Sequence, residues 1–286
     1  RRHNLMDNYD LIVIGGGPAG MMAAGRAGER GKKVLLLEKM DSPGKKLLLC
    51  ARGRCNVTNT APLHAFMQAY SRGGQFLRTA LETFDNERLR AFLLSYGVET
   101  VVENKGRVFP QSQRADSILH VLEAYLRNGH VTIQMNSRVS RLIREGGRVT
   151  GVETQKSIVY GQNTLIATGG VSYPSTGSTG DGYALAASAG HTIQPLRPAI
   201  IAFETEESWV KPLQGTPIKN VNIIAYQRGK KVAEHFGEAL FTHYGISGPA
   251  ILDISKGIVE CLPYGPVQIH IDFKPNHALE KLDETL

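Results

Sequence analysis

Cysteine is scarce in this chain: Cys50, Cys55 and Cys261 are the only three among 286 residues. An odd count without C-x-x-C spacing excludes a disulfide framework and a thiolate zinc site, and it fits a reducing compartment. Metal-ligand spacings of the H-x-x-x-H type are missing as well, so no metal is expected. Long apolar runs are also absent. The first, Leu11 to Ile14, stops at three glycines, and none approaches the ~18 residues of a membrane span. With no signal-peptide pattern either, no membrane partner and a cytoplasmic location are expected. There is no Walker loop and no G-x-S-x-G, which leaves ATPase and hydrolase chemistry without a motif. A hydrophobic share of 42% with 21% charged residues excludes fibrous and disordered classes. Residues 1–5 are expected to be an extension outside the fold, because the pattern from Met6 reads like a natural start before a strand.

Positive charge, by contrast, is plentiful and unevenly placed. The net charge is +7. Residues 1–150 hold 23 basic and 13 acidic side chains, whereas the rest holds 10 and 13. The whole excess lies in the first half, more than one pyrophosphate requires. A polyanionic partner and a plain solvated basic surface both account for it.

Leu11 to Ile14 reads as a buried parallel strand, and an alanine-rich helix follows from Pro18 to about Arg30. Val34 to Leu37 is the next strand, completing a βαβ unit. Helical periodicity recurs through residues 66–96 and again from Ser117 to Arg127. From Val131 the period falls to two. Strands are predicted at 131–135, 139–144, 149–154, 157–160 and 163–167, with Glu145-Gly146-Gly147 as a hairpin turn. A helix is predicted over Tyr183–Ala189, and after Pro198 only short β-type runs remain. The predicted domains are 1–194, Rossmann-like with a helical excursion and a β-meander, and 195–286, β-rich.

The chemistry is concentrated at Gly15-x-Gly17-x-x-Gly20, directly after the first strand and opening the first helix. The first glycine permits the tight turn, the second lets a pyrophosphate touch backbone, and the third lets helix and strand pack closely. The helix N-terminus supplies N–H donors and partial positive charge. Glu38 ends the second strand, near the ~20-residue distance at which an acid accepts bonds from ribose hydroxyls and repels a 2′-phosphate. This pattern suits FAD or NAD rather than NADP. The apolar strand running into Ala167-Thr168-Gly169-Gly170 favours FAD, since it matches the second nucleotide contact of two-dinucleotide-type flavoproteins.

Three longer blocks carry a specific resemblance. Gly44-Lys45-Lys46-Leu47 with Gly53-Arg54-Cys55-Asn56-Val57-Thr58-Asn59 resembles the hallmark of the BaiN/YhiN-like flavoproteins, NAD(P)/FAD-dependent oxidoreductases. Tyr173 through Gly182 is similar to a second family block, and Phe241 through Ala250 to a third. The resemblance implies an α/β fold with a Rossmann-like FAD-binding domain and an inserted β-rich domain. A chain ending at Leu286 is expected to lack the family's C-terminal flavin-contacting segment.

The cofactor contacts this implies are Gly15, Gly17, Gly20, Glu38, Lys39, Lys46, Arg54, Asn56, Thr58, Asn59, Val139, Thr168, Gly169, Gly180 and Asp181. Arg54 offers a fork of donors to phosphate, and Asn56, Thr58 and Asn59 offer neutral hydrogen bonds. Asp181 has a second reading, as N-cap of the helix that follows. Cys55 reads either as a thiol acidified beside Arg54 or as a buried inert cysteine. His243, in a Gly/Ser/Pro loop, reads either as a general acid or as a structural histidine. The expected activity is reduction of a conjugated C=C bond by FAD with NAD(P)H as donor. The resemblance implies two substrate classes, uracil in ribosomal RNA and a steroid-like enone. A non-catalytic flavin-binding fragment and a plain NAD dehydrogenase are the alternatives.

Overall fold

Alternation decides how the first strand is used. In the computed structural model, which describes residues 8–70 and 73–275, β1 (Asn8–Ile14) sends Val13 to one side and Ile12 and Ile14 to the other. The expectation for residues 1–5 lies outside the described residues. Helix α1 (Pro18–Glu29) begins with proline in its first turn, where a missing N–H costs nothing. Strand β2 (Val34–Leu37) is buried along its whole length and pairs parallel with β1, Leu11 opposite Val34. Burying each such side chain is worth about 1.5–3 kcal/mol.

A short helix α2 (Lys45–Leu49) leads into a small sheet of β3 (Thr58–Asn59), β4 (Thr100–Glu103) and β5 (Arg107–Pro110), with β5 in the centre. Helices α3 (Leu63–Ala69), α4 (Gly74–Thr83) and α5 (Asn86–Ser95) lie between β3 and β4 in sequence. Helix α6 (Ala115–Asn128) buries Ile118, Leu119, Leu122 and Leu126 at helical spacing. Leu119, Leu122 and Leu126 pack with Met21 and Ala24 of α1 over Val13 and Leu36.

The main sheet runs β6 (Thr132–Gln134), β2, β1, β9 (Ile158–Ile166), β8 (Arg148–Thr154), β7 (Val139–Glu145). One feature corrects the sequence reading. The strands expected at 157–160 and 163–167 are one strand, β9, antiparallel to β8 at its start and parallel to β1 along its length. Gly161 lets β9 lie close against β1, because a Cβ there would press on Ile12 Cγ1 at 2.8 Å. Strand β6, expected from the sequence, pairs parallel with β2 at the edge opposite β7. Helix α7 (Asp181–Ser188) begins two residues earlier than expected.

The chain divides into two compact units, Arg1–Ile193 and Gln194–Leu286. In the second, a five-stranded sheet runs β10 (Phe203–Glu204), β13 (Gly245–Ser247), β12 (Lys230–Phe241), β11 (Pro217–Gln227), β14 (Gln268–Asp272). Helix α8 (Pro249–Cys261) buries Ala250, Ile251, Ile254 and Ile258 against Val221, Ile223 and Ala225. The sequence reading placed no helix here, although Gly248-Pro249 and the spacing of these isoleucines announce one. No helix among the described residues is long and apolar enough to cross a membrane.

Candidate cofactor site

The three motif glycines of the first turn have separate jobs. A Cβ at Gly15, where φ is +110°, would stand 2.5 Å from the Ala167 carbonyl oxygen, so this residue allows β1 to turn against the end of β9. A Cβ at Gly20 would collide with the Gly15 carbonyl, so its bareness lets helix and strand touch. Gly17 differs: a Cβ there meets nothing within 4 Å. It is the N-cap of α1, whose first turn has no side-chain cap and no acidic residue. The helix N-terminus therefore presents bare backbone and partial positive charge.

That terminus borders a cleft of about 240 Å³ that opens to solvent. Of the sequence-predicted cofactor residues, Gly15, Gly17, Glu38, Lys39, Lys46, Val139, Thr168, Gly169 and Asp181 line it together. They come from the ends of β1, β2 and β9, from α2, from the start of β7 and from the N-terminus of α7. Ile14, Leu37 and Leu185 give it an apolar wall, while Lys45 and Arg138 add positive charge. Ser137 and Arg138 also line it and were missed by sequence reasoning, since they precede β7 without any motif around them.

Glu38 is 9% exposed, and both carboxylate oxygens are engaged. Oε2 accepts the Gly16 N–H at 2.7 Å and Oε1 accepts the Met40 N–H at 2.8 Å. A carboxylate offers about four lone-pair sites, so capacity for two further donors remains. On the far wall Asp181 gathers a cluster. Its carboxylate lies 3.1 Å from Lys39 Nζ, accepts from Arg138 Nε at 3.2 Å, and accepts the Thr179 hydroxyl at 2.9 Å. Burial, the largest single influence, pushes the Asp181 carboxyl up. The hydrogen bonds from Lys39, Thr179 and Arg138 and the charge of Lys39 outweigh it and hold the group below the usual aspartate range. The capping reading of Asp181 is overturned: Gly180 is the N-cap, and Asp181 stands inside the first turn. Gly180 itself does not line the cleft, and Gly20 serves it through packing.

The hallmark loop is arranged differently from its sequence reading. The Arg54 guanidinium stacks 4.2 Å from the Phe109 ring, pairs with Glu103, and donates to Gln113 Oε1 at 2.7 Å. Thr58 and Asn59 form β3 against Val108 and Arg107. Asn59 donates to the Lys105 carbonyl at 2.8 Å, and the Asn56 amide, turned so that its nitrogen meets acceptors, donates to the Thr58 carbonyl at 3.0 Å. These four residues tie the small sheet together and do not line the cleft.

Cys55 is 2% exposed, and its acidified reading is overturned as well. Burial first, then the neighbouring Cys50 thiol, push its pKa up to about 12. Arg54 leaves it unaided because the guanidinium is committed to Glu103. In the second unit, His243 is exposed in the turn joining β12 to β13, closed by the Thr242 N–H bonding the Gly245 carbonyl at 2.8 Å. Its ring meets Tyr244 edge-on at 4.6 Å. Tyr173 is 63% exposed and lies outside the cleft lining.

Comparison with known proteins bears on the family and the fold. Residues 9–269 match the family model described as HI0933-like protein Rossmann domain. A 3-dehydro-bile acid delta(4,6)-reductase of Clostridium scindens is 34% identical over 271 residues, covering 92% of this chain and 64% of the relative. A ribosomal RNA dihydrouridine synthase of Escherichia coli is 32% identical over 255 residues, covering 88% and 61%. The chain thus spans a little under two-thirds of the length of these two relatives. Among solved structures, the open conformation of a flavocytochrome c3 fumarate reductase has a TM-score of 0.57 at 18% identity. It covers 75% of this chain and 47% of that one, a likeness of fold alone.

Proposed function

The chain belongs to the HI0933-like Rossmann family, and from that premise we propose that it binds FAD in the cleft at the N-terminus of α1 and takes part in NAD(P)H-dependent reduction of a conjugated C=C bond. One observation carries the reading: Gly17 faces open space at an uncapped helix N-terminus, with Glu38 beside it on the same cleft. Pyrophosphate fits the bare backbone and the field of Lys39, Lys45, Lys46 and Arg138. Ribose hydroxyls suit the remaining lone pairs of Glu38, and the apolar wall of Ile14, Leu37 and Leu185 suits an aromatic base. Thr168 and Gly169, closing the cleft from β9, favour FAD over NAD.

A bound flavin supplies a hydride, taken from reduced nicotinamide, to an electron-poor double bond. The protein's own task is to deliver the second hydrogen as a proton. His243 is the proposed donor from a ring nitrogen, because an imidazolium carries a transferable proton and this ring stands exposed in a tight turn. Cys55 holds its proton too firmly for rapid transfer at neutral pH. The substrate class is a conjugated enone. The positive excess on residues 1–150 favours uracil within RNA, and a steroid-like enone is the second substrate the relatives suggest.

Absorbance of the purified chain tests the cofactor, with flavin bands expected. Anaerobic NADH or NADPH should bleach them, and protein-free ribosomal RNA or a bile-acid dienone should restore them. A colourless protein that binds NAD and transfers hydride directly would identify a plain dehydrogenase. Bound flavin that no donor reduces would identify a non-catalytic flavin carrier. RNA binding that ignores salt would remove the polyanion reading.

A further inference from the structure

The loop between α2 and β3 brings two of the three cysteines together. The Cys55 N–H donates to the Cys50 carbonyl at 3.0 Å across five residues. Because the chain bends at the carbonyl carbon and at the N–H, this bond keeps the two Cα atoms within about 6.8 Å. Disulfides span roughly 4.4–6.8 Å between Cα atoms. Cys50 also packs against the small apolar cluster in which Cys55 is buried. The chain between them holds an unusual shape: Ala51, Arg52 and Cys55 all have positive φ, at 49°, 58° and 63°. Three non-glycine residues in the left-handed region within one turn cost free energy that the surrounding fold sustains, and the Cys50 thiol points to the Asn56 carbonyl, next to Cys55, at 3.9 Å.

We infer that Cys50 and Cys55 form a thiol–disulfide site, a dithiol that a low-molecular-weight disulfide such as glutathione disulfide converts into an internal bridge. Cys50 is the entry point, because it is half-buried while only 2% of Cys55 reaches solvent. The Cys50 thiolate attacks one sulfur of glutathione disulfide. That S–S bond breaks, and one glutathione leaves and takes up the proton that Cys50 released. Cys55 then loses its proton to solvent and attacks the Cys50 sulfur, expelling the second glutathione, which is protonated in turn. Two protein thiols are oxidised and one disulfide is reduced to two thiols. Because burial holds the Cys55 proton tightly, the second step is the slow one and quickens as pH rises. The bridge would pin the segment following α2, whose Lys45, Lys46 and Leu47 line the cleft. It does not depend on which cofactor occupies that cleft.

The experiment incubates the intact protein with glutathione disulfide from pH 7 to 9, quenches with acid, unfolds and alkylates. Trypsin cuts after Arg52 and Arg54, so a Cys50–Cys55 bridge appears as two linked peptides that separate on reduction. Linked peptides should form in wild type and in Cys261→Ser, faster at higher pH, and be absent from Cys50→Ser and Cys55→Ser. Cys55→Ser should instead retain glutathione on residue 50. A wild-type protein that keeps glutathione on Cys50 without forming the bridge, or that links either residue to Cys261, overturns the assignment.

Discussion

Glu38 reaches back across 22 residues to accept the Gly16 N–H at 2.7 Å, so one carboxylate both fastens the glycine turn and faces the cleft it shapes. The second oxygen holds Met40, and with it the chain leaving β2. Replacing Glu38 by Ala should therefore cost stability even without cofactor, about 1.5–3 kcal/mol for hydrogen bonds to a charged group. Thermal melts with and without FAD measure this. A loss confined to the FAD-containing sample would mean that the carboxylate serves ribose alone.

Gly17 and Gly20 should separate binding from folding. In Gly17→Val the new side chain enters open space, so the protein should fold with a melting temperature near wild type and fail to retain FAD. In Gly20→Ala the new methyl meets the Gly15 carbonyl, so the fold itself should weaken by about 1–3 kcal/mol. Circular dichroism and flavin fluorescence after heat release distinguish the two. Full FAD retention in folded Gly17→Val would rule out the proposed pyrophosphate position.

Asp181 should leave a signature in acid. Its folded pKa is depressed, so its contribution is present above the unfolded value of about 3.9 and is lost as pH falls through the lower folded value. The Asp181→Asn protein should be less stable than wild type at neutral pH, and the gap should close below about pH 4. Melting temperatures of both proteins across pH 7 to 3 test it, and a gap that stays constant with pH would remove the charge-based explanation.

His243→Ala should leave the first unit and its flavin spectrum untouched, because the ring is exposed and contacts only Tyr244 among the described aromatic rings. Reduction by nicotinamide should proceed normally. Reoxidation by the enone substrate should slow by ~10²–10⁴, the usual contribution of a general acid. Stopped-flow measurement of the two half-reactions reads both. Equal slowing of the two would point to a structural role for the turn.

Local chemistry made the nucleotide-binding half readable from sequence. An apolar run of strand length, three glycines at fixed spacing and an acid at the end of the next strand each express a rule that acts within about forty residues. The family blocks added the fold class, which the match over residues 9–269 bears out. Pairings between distant segments were not readable, because a side chain takes whichever partner the completed fold brings within reach. Lys39 meets Asp181 from 142 residues away. Arg54 is drawn to Glu103 and the Phe109 ring, and Cys55, buried beneath the same loop, keeps its proton. Sequence determined which residues carry charge and where the backbone can turn. Tertiary structure decided where that charge is spent, because burial and neighbouring charge set its strength and both are properties of the packed chain.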